Sequence, residues 1–298
     1  MSEGTSAANR YGRATPADRT ALGLLAVLLC VATASMAVPQ TTDQRARDIV
    51  DRVDRMLRGD SSVGTMTMEI QSTHWTRTLV TKVWSKGTDR ALILVLEPAK
   101  EAGTATLKAA DNIWNYLPKV ERVIKIPTSM MMGSWMGSHF TNDDLVKESR
   151  LIRDYAITIS FEGERAGTLV WEFVLTPHPD AAVVWGKILL EVRQQDLMPT
   201  WQRYYDEHGN LVRTLTFGDY RQMGGRLIPA RMEMRPADKP NEYTVITYRD
   251  LAFDVALDDD FFSLRNLRTV ARISDEAPAQ AGTATPSEAR HSAQQGDK

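Results

Sequence analysis

The chain has 298 residues, of which 43% are apolar, and its 36 Lys and Arg residues nearly balance its 38 Asp and Glu residues. A formal net charge of −2 argues against a strongly basic nucleic-acid-binding protein, so no nucleic-acid partner is predicted. The single cysteine, Cys30, excludes an internal disulfide and a metal site built from several thiolates. The composition is therefore that of a near-neutral globular protein with a core of its own.

The N-terminal segment has the features of a secretory signal peptide. Three arginines precede the apolar run Ala21–Ala37, ALGLLAVLLCVATASMA, which ends in small residues shortly before a proline. We predict that residues 1–37 are removed, and cleavage after Ala34 also fits the pattern. An uncleaved membrane anchor is the alternative, since about 18 apolar residues span a bilayer. Lipid attachment at Cys30 is disfavoured because Leu29, rather than a small residue, precedes it.

One amphipathic helix is predicted at the start of the mature chain. Between residues 42 and 57, apolar residues recur at spacings of three and four, which places them on one helical face. Arg58–Gly59 matches the stop signals of a helix. At the other end, residues 273–298 are rich in Ala, Gln, Ser and Pro, and we predict a disordered tail because they bury too little apolar surface. A single domain is thus predicted over residues 38–272.

Period-two alternation predicts thirteen β-strands in the remainder of the chain. Turn residues such as Lys86-Gly87 and Gly224-Gly225 separate them. Strands at intervals of about ten residues predict an antiparallel meander that curls into a barrel or a sandwich. The predicted strands are 64–72, 76–85, 89–97, 105–109, 112–117, 120–126, 155–162, 168–176, 187–193, 199–205, 211–217, 227–234 and 243–250.

One predicted strand is apolar on both of its faces. This is Asp89–Glu97, with the sequence DRALILVLE. An antiparallel strand with one face in water alternates apolar and polar residues, and this strand does not. Its pattern predicts that a helix, a second sheet or an apolar ligand covers the second face.

The segment at residues 127–146, PTSMMMGSWMGSHFTNDDLV, interrupts the strand pattern. Methionines fill irregular cores, and clusters of them also suit surfaces that repack around variable apolar partners. Two interpretations stay open at this point: a packed part of the core, or a mobile lid over an apolar cavity. Thr141 is predicted as the N-cap of a short helix that ends near Arg150. The candidate lid residues are Met130, Met131, Met132, Trp135, Met136 and Phe140.

The sequence contains no established catalytic or metal-binding motif. The stretch GSWMG at residues 133–137 places its serine one position too early for the nucleophile elbow of a hydrolase. No two histidines are spaced at i and i+4, and no metal site is predicted. His139 with Asp143 or Asp144 is the one candidate acid–base pair, and it defines an esterase-type alternative. Asp258–Asp260 lacks the spacing of a calcium loop and is predicted to cap a terminal helical turn.

Three stretches near the middle of the chain resemble a known protein family. They are NIWNYLP at residues 112–118, RVIKI at residues 122–126 and GSWMGSHFTNDDL at residues 133–145. Together they resemble the larger, periplasmic branch of the outer-membrane lipoprotein-sorting, or LolA-like, proteins. In that branch a W-x-Y-x-P strand precedes a G-S-x-x-G-S-x-F-x-x-x-D-L segment. The resemblance covers about residues 43–268.

The resemblance implies a mainly β fold with helices (α+β): an incomplete, strongly curved antiparallel β-barrel with helices plugging its concave side. It also implies a non-enzymatic periplasmic carrier without a cofactor. Such a carrier shields the acyl chains of a lipoprotein or lipid in an apolar cavity between envelope membranes, with an inner-membrane transporter or export complex as partner. An interaction module that docks to a transporter is the alternative. The predicted cavity residues are Met66, Met68, Trp84, Leu94, Trp114, Tyr116 and Trp171.

Overall fold

One curled antiparallel sheet of thirteen strands organises the protein. The structure, a computed structural model, describes residues 42–147 and 151–276, and describes only the backbone at residues 146, 147 and 273–276. The predicted signal peptide and residues 277–298 of the predicted tail lie outside the described residues. Within the described ranges, no helix has both the length and the apolar character needed to cross a bilayer.

All thirteen predicted strands are present among the described residues, together with four α-helices, and the mainly β fold class is confirmed. The elements in chain order are α1 (Thr42–Arg58), β1 (Ser61–Gln71), β2 (Thr76–Lys86), β3 (Arg90–Glu97), β4 (Ala105–Ala109), β5 (Asn112–Leu117), β6 (Arg122–Lys125), α2 (Asn142–Lys147), α3 (Leu151–Asp154), β7 (Tyr155–Arg165), β8 (Thr168–Pro177), β9 (Lys187–Arg193), β10 (Pro199–Tyr205), β11 (Leu211–Met223), β12 (Arg226–Pro236), β13 (Tyr243–Phe253) and α4 (Leu264–Glu276).

The strands form two meanders that are joined edge to edge. Their order in the sheet is β6-β5-β4-β3-β2-β1-β13-β12-β11-β10-β9-β8-β7, so the first strand pairs with the last. In this pairing Met68 lies opposite Ile246. Strands β6 and β7 are the two edges and do not pair with each other within the described residues. The barrel is therefore incomplete, as the resemblance implied.

The inner face of the sheet carries the larger of two hydrophobic cores. Buried residues from distant strands, such as Ile93 of β3 and Phe173 of β8, belong to this one cluster. Strands so far apart in the sheet share a cluster only where the sheet curls around it. Helix α1 lies on this face and contributes Ala46, Ile49 and Val53 to the cluster. The predicted apolar face of α1 is thus the surface that the helix buries.

Helix α1 ends where the sequence indicated. Gly59 follows the last helical residue with a φ of +68°, a left-handed conformation that glycine adopts without strain. Its N–H donates to the carbonyl oxygen of Arg55 at 2.8 Å and so satisfies one of the terminal carbonyls. A β-carbon at this position would lie 3.0 Å from Phe253. The turn therefore delivers the chain directly from the helix into β1.

A second hydrophobic core lies on the outer face of β2–β6, beneath α4. Strand β3 alternates between the two cores: Leu92 and Leu94 face outward, whereas Ile93 and Val95 face inward. The helix that covers the outer face is α4, which explains why the DRALILVLE strand is apolar on both sides. α4 runs to Glu276, four residues past the predicted end of the domain.

Candidate ligand-binding cavity

A cavity of about 350 Å³ lies between α1 and the inner face of the sheet. Val50, Val53 and Leu57 of α1 form one wall, and strands β1–β4 and β9–β13 form the opposite one. Leu145 of α2 and Leu151 of α3 also line the cavity. The volume falls at the lower end of the range of about 300–1,000 Å³ that is typical of small-molecule sites.

Most of the cavity surface is apolar. Strands β11, β12 and β13 contribute Phe217, Met232 and Tyr248, with Ile228 and Leu251 beside them. These side chains offer a hydrocarbon ligand dispersion contacts and the release of water. Apart from Tyr248, no described residue in this apolar part of the lining has a side chain that acts as a nucleophile, acid or base in known catalytic motifs. It is therefore suited to binding an apolar chain.

The remaining part of the lining is polar and comes from the inner face of β1, β2 and β4. Ser62 and Ser85 both line the cavity, and their hydroxyl oxygens lie 2.7 Å apart in a hydrogen bond. Lys108 is 7% exposed, and its Nζ donates to the carbonyl oxygen of Thr88 at 2.7 Å. Arg58 also lines the cavity and forms an ion pair with Asp54 along α1. The cavity is thus amphiphilic, with an apolar region and a polar one.

Sequence reasoning missed Lys108. It is the one charged residue of its strand, ATLKA, and the alternation of that strand places it on the same face as Thr106. Its neighbour Leu107 faces outward, into the core under α4. A lysine at an inward position of an otherwise apolar strand was the available signal, because a buried ammonium is rare in a protein interior without a polar partner.

The predicted cavity residues lie outside the lining of this cavity. Of the described residues that line the cavity, none belongs to the predicted set of seven. Those that lie on the outer face, in the core under α4, are Trp84, Leu94, Trp114 and Tyr116. Those that lie in the inner core, outside the cavity lining, are Met66, Met68 and Trp171. The two groups are therefore separated by the thickness of the sheet.

The methionine- and glycine-rich segment contacts the sheet mainly away from the cavity, and among its described residues it reaches the cavity lining at Leu145. We call residues 127–146 the end plug. Strand β2 contacts it near the start of the strand, where Arg77 donates to the carbonyl oxygen of Met136 at 2.8 Å. The same strand lines the cavity near its other end, at Val83 and Ser85. Strands β11 and β13 likewise contact the end plug near their starts, at Arg213 and Thr244. They line the cavity farther along, at Phe217 and Tyr248.

The end plug is anchored by its aromatic residues. Trp135 is 3% exposed and Phe140 is 9% exposed, and both belong to the inner core. The methionines are more exposed. Met130 is 56% exposed and Met132 is 46% exposed, whereas Met131 and Met136 are partly buried. No candidate lid residue is among the described residues that line the cavity. The burial of Trp135 and Phe140 fits the alternative interpretation, a packed part of the core.

Hydrogen bonds within the end plug fix its backbone. The N–H of Trp135 donates to the carbonyl oxygen of Phe140 at 2.8 Å, and the Asn142 side chain donates to that of Met130 at 3.1 Å. Thr141 caps α2 as predicted: its hydroxyl accepts from the N–H of Asp144 at 3.2 Å, and the Asp144 carboxylate accepts from the N–H of Thr141 at 2.7 Å. This reciprocal arrangement is a capping box. Helix α2 ends at Lys147, and residues 148–150 of the predicted helix lie outside the described part of the chain.

His139 has partners other than the carboxylates next to it in sequence. Its Nδ1 lies 2.9 Å from the hydroxyl of Thr244, and its Nε2 lies 3.3 Å from a carboxylate oxygen of Glu242. Asp144 instead forms an ion pair with Arg213. The predicted acid–base pairing of His139 with Asp144 is therefore wrong. His139 fastens the end plug to β13, and it is not one of the described residues that line the cavity.

Arg213 forms a buried ion pair with the end plug. It is 5% exposed, and both of its terminal nitrogens bind the carboxylate of Asp144, one of them at 2.8 Å. The guanidinium carbon lies 4.5 Å from the ring centre of Trp185 and 4.3 Å from that of Tyr204. A buried bidentate pair that also contacts two aromatic rings leaves the arginine little freedom to move.

Glu242 gives the end plug a pH dependence. Hydrogen bonds from the hydroxyl and the N–H of Thr73, and then from His139, hold the pKa of Glu242 at about 2, below its ordinary value. A carboxylate with a lowered pKa stabilises the folded protein above about pH 4.5, and this stabilisation is lost as the pH falls towards about 2. We expect Glu242→Gln to reduce the loss of stability between about pH 5 and pH 2.5, measured by urea unfolding at each pH.

The matched control for this exchange is Glu164→Gln, on an exposed glutamate of β7. It is expected to leave the pH profile of the parent protein unchanged. If the free energy of unfolding fell equally with decreasing pH in the Glu242→Gln variant and in the parent protein, this would contradict a stabilising role of the carboxylate.

The acidic run Asp258–Asp260 begins a terminal 3-10 turn, Asp259–Phe262. Asp259 binds Arg90, and Lys86 donates to it at 2.8 Å; these two contacts lower its pKa to about 2. Phe262 then enters the core under α4. Across the described ranges, no three or more His, Cys, Asp or Glu residues are grouped so that they could hold a metal ion. The run thus acts as an anchor of the turn.

Comparisons with known proteins identify the fold. A crystal structure of a DUF1329 family protein from Desulfovibrio piger matches with a TM-score of 0.70 and 24% identity, covering 76% of this chain and 100% of that one. An outer membrane lipoprotein-sorting protein domain from Vibrio parahaemolyticus matches with a TM-score of 0.67 and 24% identity over 76% and 99% of the two chains. A LolA superfamily protein from Nitrosomonas europaea matches with a TM-score of 0.63 and 22% identity over 74% and 98%.

The sequence comparisons give a family but no characterised relative. No curated protein matches the chain. A family model described as "-like: Uncharacterized protein" matches residues 87–269, which is more than half of the chain. The LolA-like resemblance seen in the sequence is confirmed at the level of the fold. The chain therefore belongs to the family that this model describes, and it has the incomplete barrel of the LolA-like proteins.

Proposed function

We propose that the protein is a periplasmic carrier that shields an acyl chain of a lipid or lipoprotein in the cavity between α1 and the inner face of the sheet, without covalent chemistry. The observation that carries this proposal is the cavity itself, about 350 Å³ in volume, with Phe217, Met232 and Tyr248 facing Val53 and Leu57. Ligand sites are typically clefts or cavities of about 300–1,000 Å³, lined mainly by apolar side chains with a few polar groups. An apolar cavity of this size is therefore a feature that binding of an apolar ligand explains.

The energetics of acyl binding support a carrier. Burial of each methylene contributes about 0.8 kcal/mol, so ten methylenes contribute about 8 kcal/mol before ordering costs. The ligand would thus be held firmly in water and would need a change in the protein, or a competing apolar surface, for release. A cavity bounded on one side by a single helix, α1, meets this requirement more simply than a closed barrel.

The fold supports the same class of function. The solved structure from Vibrio parahaemolyticus that shares this fold is described as an outer membrane lipoprotein-sorting protein domain. The apolar run at residues 21–37 supports export from the cytoplasm. On the basis of the LolA-like resemblance, we propose an inner-membrane transporter or export complex as the partner that supplies or receives the ligand.

Filling the cavity is expected to weaken binding. Val83 lines the cavity from β2, and Val83→Trp places a large side chain in the space that the acyl chain would occupy. We expect a delipidated parent protein to bind a fluorescent fatty acid, and the variant to bind it at least tenfold more weakly, which corresponds to about 1.4 kcal/mol. Fluorescence titration measures both affinities.

The matched control is Val174→Trp, because Val174 is a partly buried valine on the outer face of β8. It is expected to bind the probe like the parent protein. Absence of binding to the delipidated parent protein would overturn the proposed function, and equal binding by both variants would place the ligand outside this cavity.

A further inference from the structure

Exposed apolar side chains are concentrated at one edge of the sheet. Ten large apolar residues are exposed among the described residues, and five of them lie within residues 117–132. Single exposed apolar residues are ordinary on a protein surface, whereas contiguous groups of them mark interaction sites. We call the five residues of this stretch the edge patch: Leu117, Val120, Ile124, Met130 and Met132.

The register of β5 and β6 places part of the edge patch on one face of the sheet. Leu117 lies opposite Arg122, and Asn115 lies opposite Ile124. Opposite residues of an antiparallel pair share a face, and so do residues two apart along a strand. Leu117, Arg122 and Ile124 therefore lie on the same face as Asn115. That face is the inner one, because Asn115 accepts a hydrogen bond at 2.8 Å from the inward-facing Thr106.

The start of the end plug continues this surface. Residues 127–132 follow β6 after one residue, and the end plug packs on the same inner face, where Trp135 donates to Thr106 at 3.3 Å. The backbone of Met130 is held in place, because its carbonyl oxygen accepts from the Asn142 side chain. Strand β6 has only one neighbouring strand among the described residues. The edge patch therefore follows an open margin of the sheet, where another surface has access to it.

The charged residues of the same stretch are three exposed bases and one acid. Glu121 is the acid, and Arg272 of α4 lies 3.9 Å from its carboxylate. Glu101, in the turn before β4, is paired with Arg77. Residues 117–132 thus combine exposed apolar side chains with a surplus of positive charge. The three bases are Lys119, Arg122 and Lys125.

This combination fits an anionic membrane surface better than a second protein strand. Binding to a bilayer surface gains from the burial of apolar side chains and from the attraction between Lys or Arg and anionic lipids. By contrast, β6 is a poor template for strand addition, because it has four residues and carries Arg122 and Lys125, and such charges protect sheet edges from pairing. Residues 277–298 of the chain contain no Val, Leu, Ile, Met, Phe, Trp or Tyr with which to cover the edge patch.

We infer that the edge patch docks the protein onto a membrane surface that contains anionic lipids. Val120 and Met130 enter the interfacial region of the bilayer, and the bases of the same stretch face the lipid phosphates. This inference goes beyond the proposed carrier function, because it concerns a different surface and does not depend on the cavity. For a carrier, such docking would hold the protein at a membrane with which it exchanges its ligand.

Co-sedimentation of the exported protein with lipid vesicles tests the docking. Vesicles of phosphatidylcholine alone are compared with vesicles that also contain phosphatidylglycerol. We expect the parent protein to bind the anionic vesicles at least about tenfold more strongly than the neutral ones. Absence of binding to the anionic vesicles, or equal binding to both kinds, overturns the inference. Neither result bears on the cavity, which the fatty-acid titration tests separately.

A pair of double variants locates the docking surface. Val120→Ser with Met130→Ser removes two apolar side chains that are 57% and 56% exposed, and is expected to weaken binding to the anionic vesicles at least about fivefold. The matched control is Leu169→Ser with Leu264→Ser, at two exposed leucines outside the edge patch, on β8 and at the start of α4. The control is expected to bind like the parent protein. Undiminished binding by the first variant, or an equal loss in the control, overturns the assignment to the edge patch.

A charge exchange tests the same surface independently, and it decides if the serine variant does not fold. Lys119→Glu with Arg122→Glu is expected to reduce the preference for anionic vesicles at least about fivefold. The control, Arg47→Glu with Arg52→Glu, makes the same change at two exposed positions of α1 and is expected to keep the preference of the parent protein. Circular dichroism verifies the fold of each variant. A full preference for anionic vesicles in the folded Lys119→Glu and Arg122→Glu variant overturns the inference.

Discussion

Replacing Arg213 with methionine is expected to lower the free energy of unfolding by about 3–5 kcal/mol, because it leaves the Asp144 carboxylate without its counter-charge. Both partners are largely buried, with 6% and 13% of their side chains exposed. The exchange also removes the cation that contacts the rings of Trp185 and Tyr204. For a domain of this size the melting temperature should fall by about 10 °C. Urea unfolding followed by circular dichroism measures the loss directly.

An exposed ion pair on β11 provides the control. Arg221 pairs with Asp219, and their side chains are 49% and 41% exposed. Arg221→Met is therefore expected to cost less than about 1 kcal/mol, as for surface ion pairs in general. Similar small losses for both variants would show that the end plug is loosely held, and would contradict the buried attachment at Arg213.

The fold was largely predictable because its elements are set by local patterns. Period-two alternation and turn residues located every strand, and the spacing of apolar residues located α1. The strand DRALILVLE also predicted correctly that its second face is covered. The identity of the cover was not predictable: α4 begins at Leu264, far along the chain, and its packing on Leu92 and Leu94 depends on tertiary contacts.

The cavity was predicted less well, because two apolar faces of a sheet look alike in sequence. Trp84 and Trp114 are large and apolar, and nothing in the alternation of their strands says whether they point to the inner or the outer face. The curl of the whole sheet decides this, and it places both beneath α4. Large aromatic residues fill cores, whereas an open cavity is bounded partly by small or polar residues such as Ser62 and Gly64. A search for the largest side chains therefore led away from the cavity.

The end plug shows a similar limit. Its composition permits a lid and a core segment equally, and the partners that decide between them are remote in sequence. Trp135 contacts Thr106, and Asp144 contacts Arg213, at separations of 29 and 69 residues. Only the capping of α2 by Thr141 was local enough to predict.

Replacing Trp135 with alanine is expected to destabilise the protein by about 3–5 kcal/mol, as for other buried aromatic residues. Its ring lies in the inner core, and its Nε1 donates to the hydroxyl of Thr106 at 3.3 Å.

The control, Met132→Ala, alters a side chain of the same segment that is 46% exposed, and should change stability by no more than about 0.5 kcal/mol. Urea unfolding measures stability, and fluorescent fatty-acid titration measures binding. A packed end plug predicts a large loss of stability for Trp135→Ala and unchanged binding for Met132→Ala. If both variants kept their stability and bound the fatty acid more weakly, the segment would act as a lid and its burial against the inner core would have no energetic consequence.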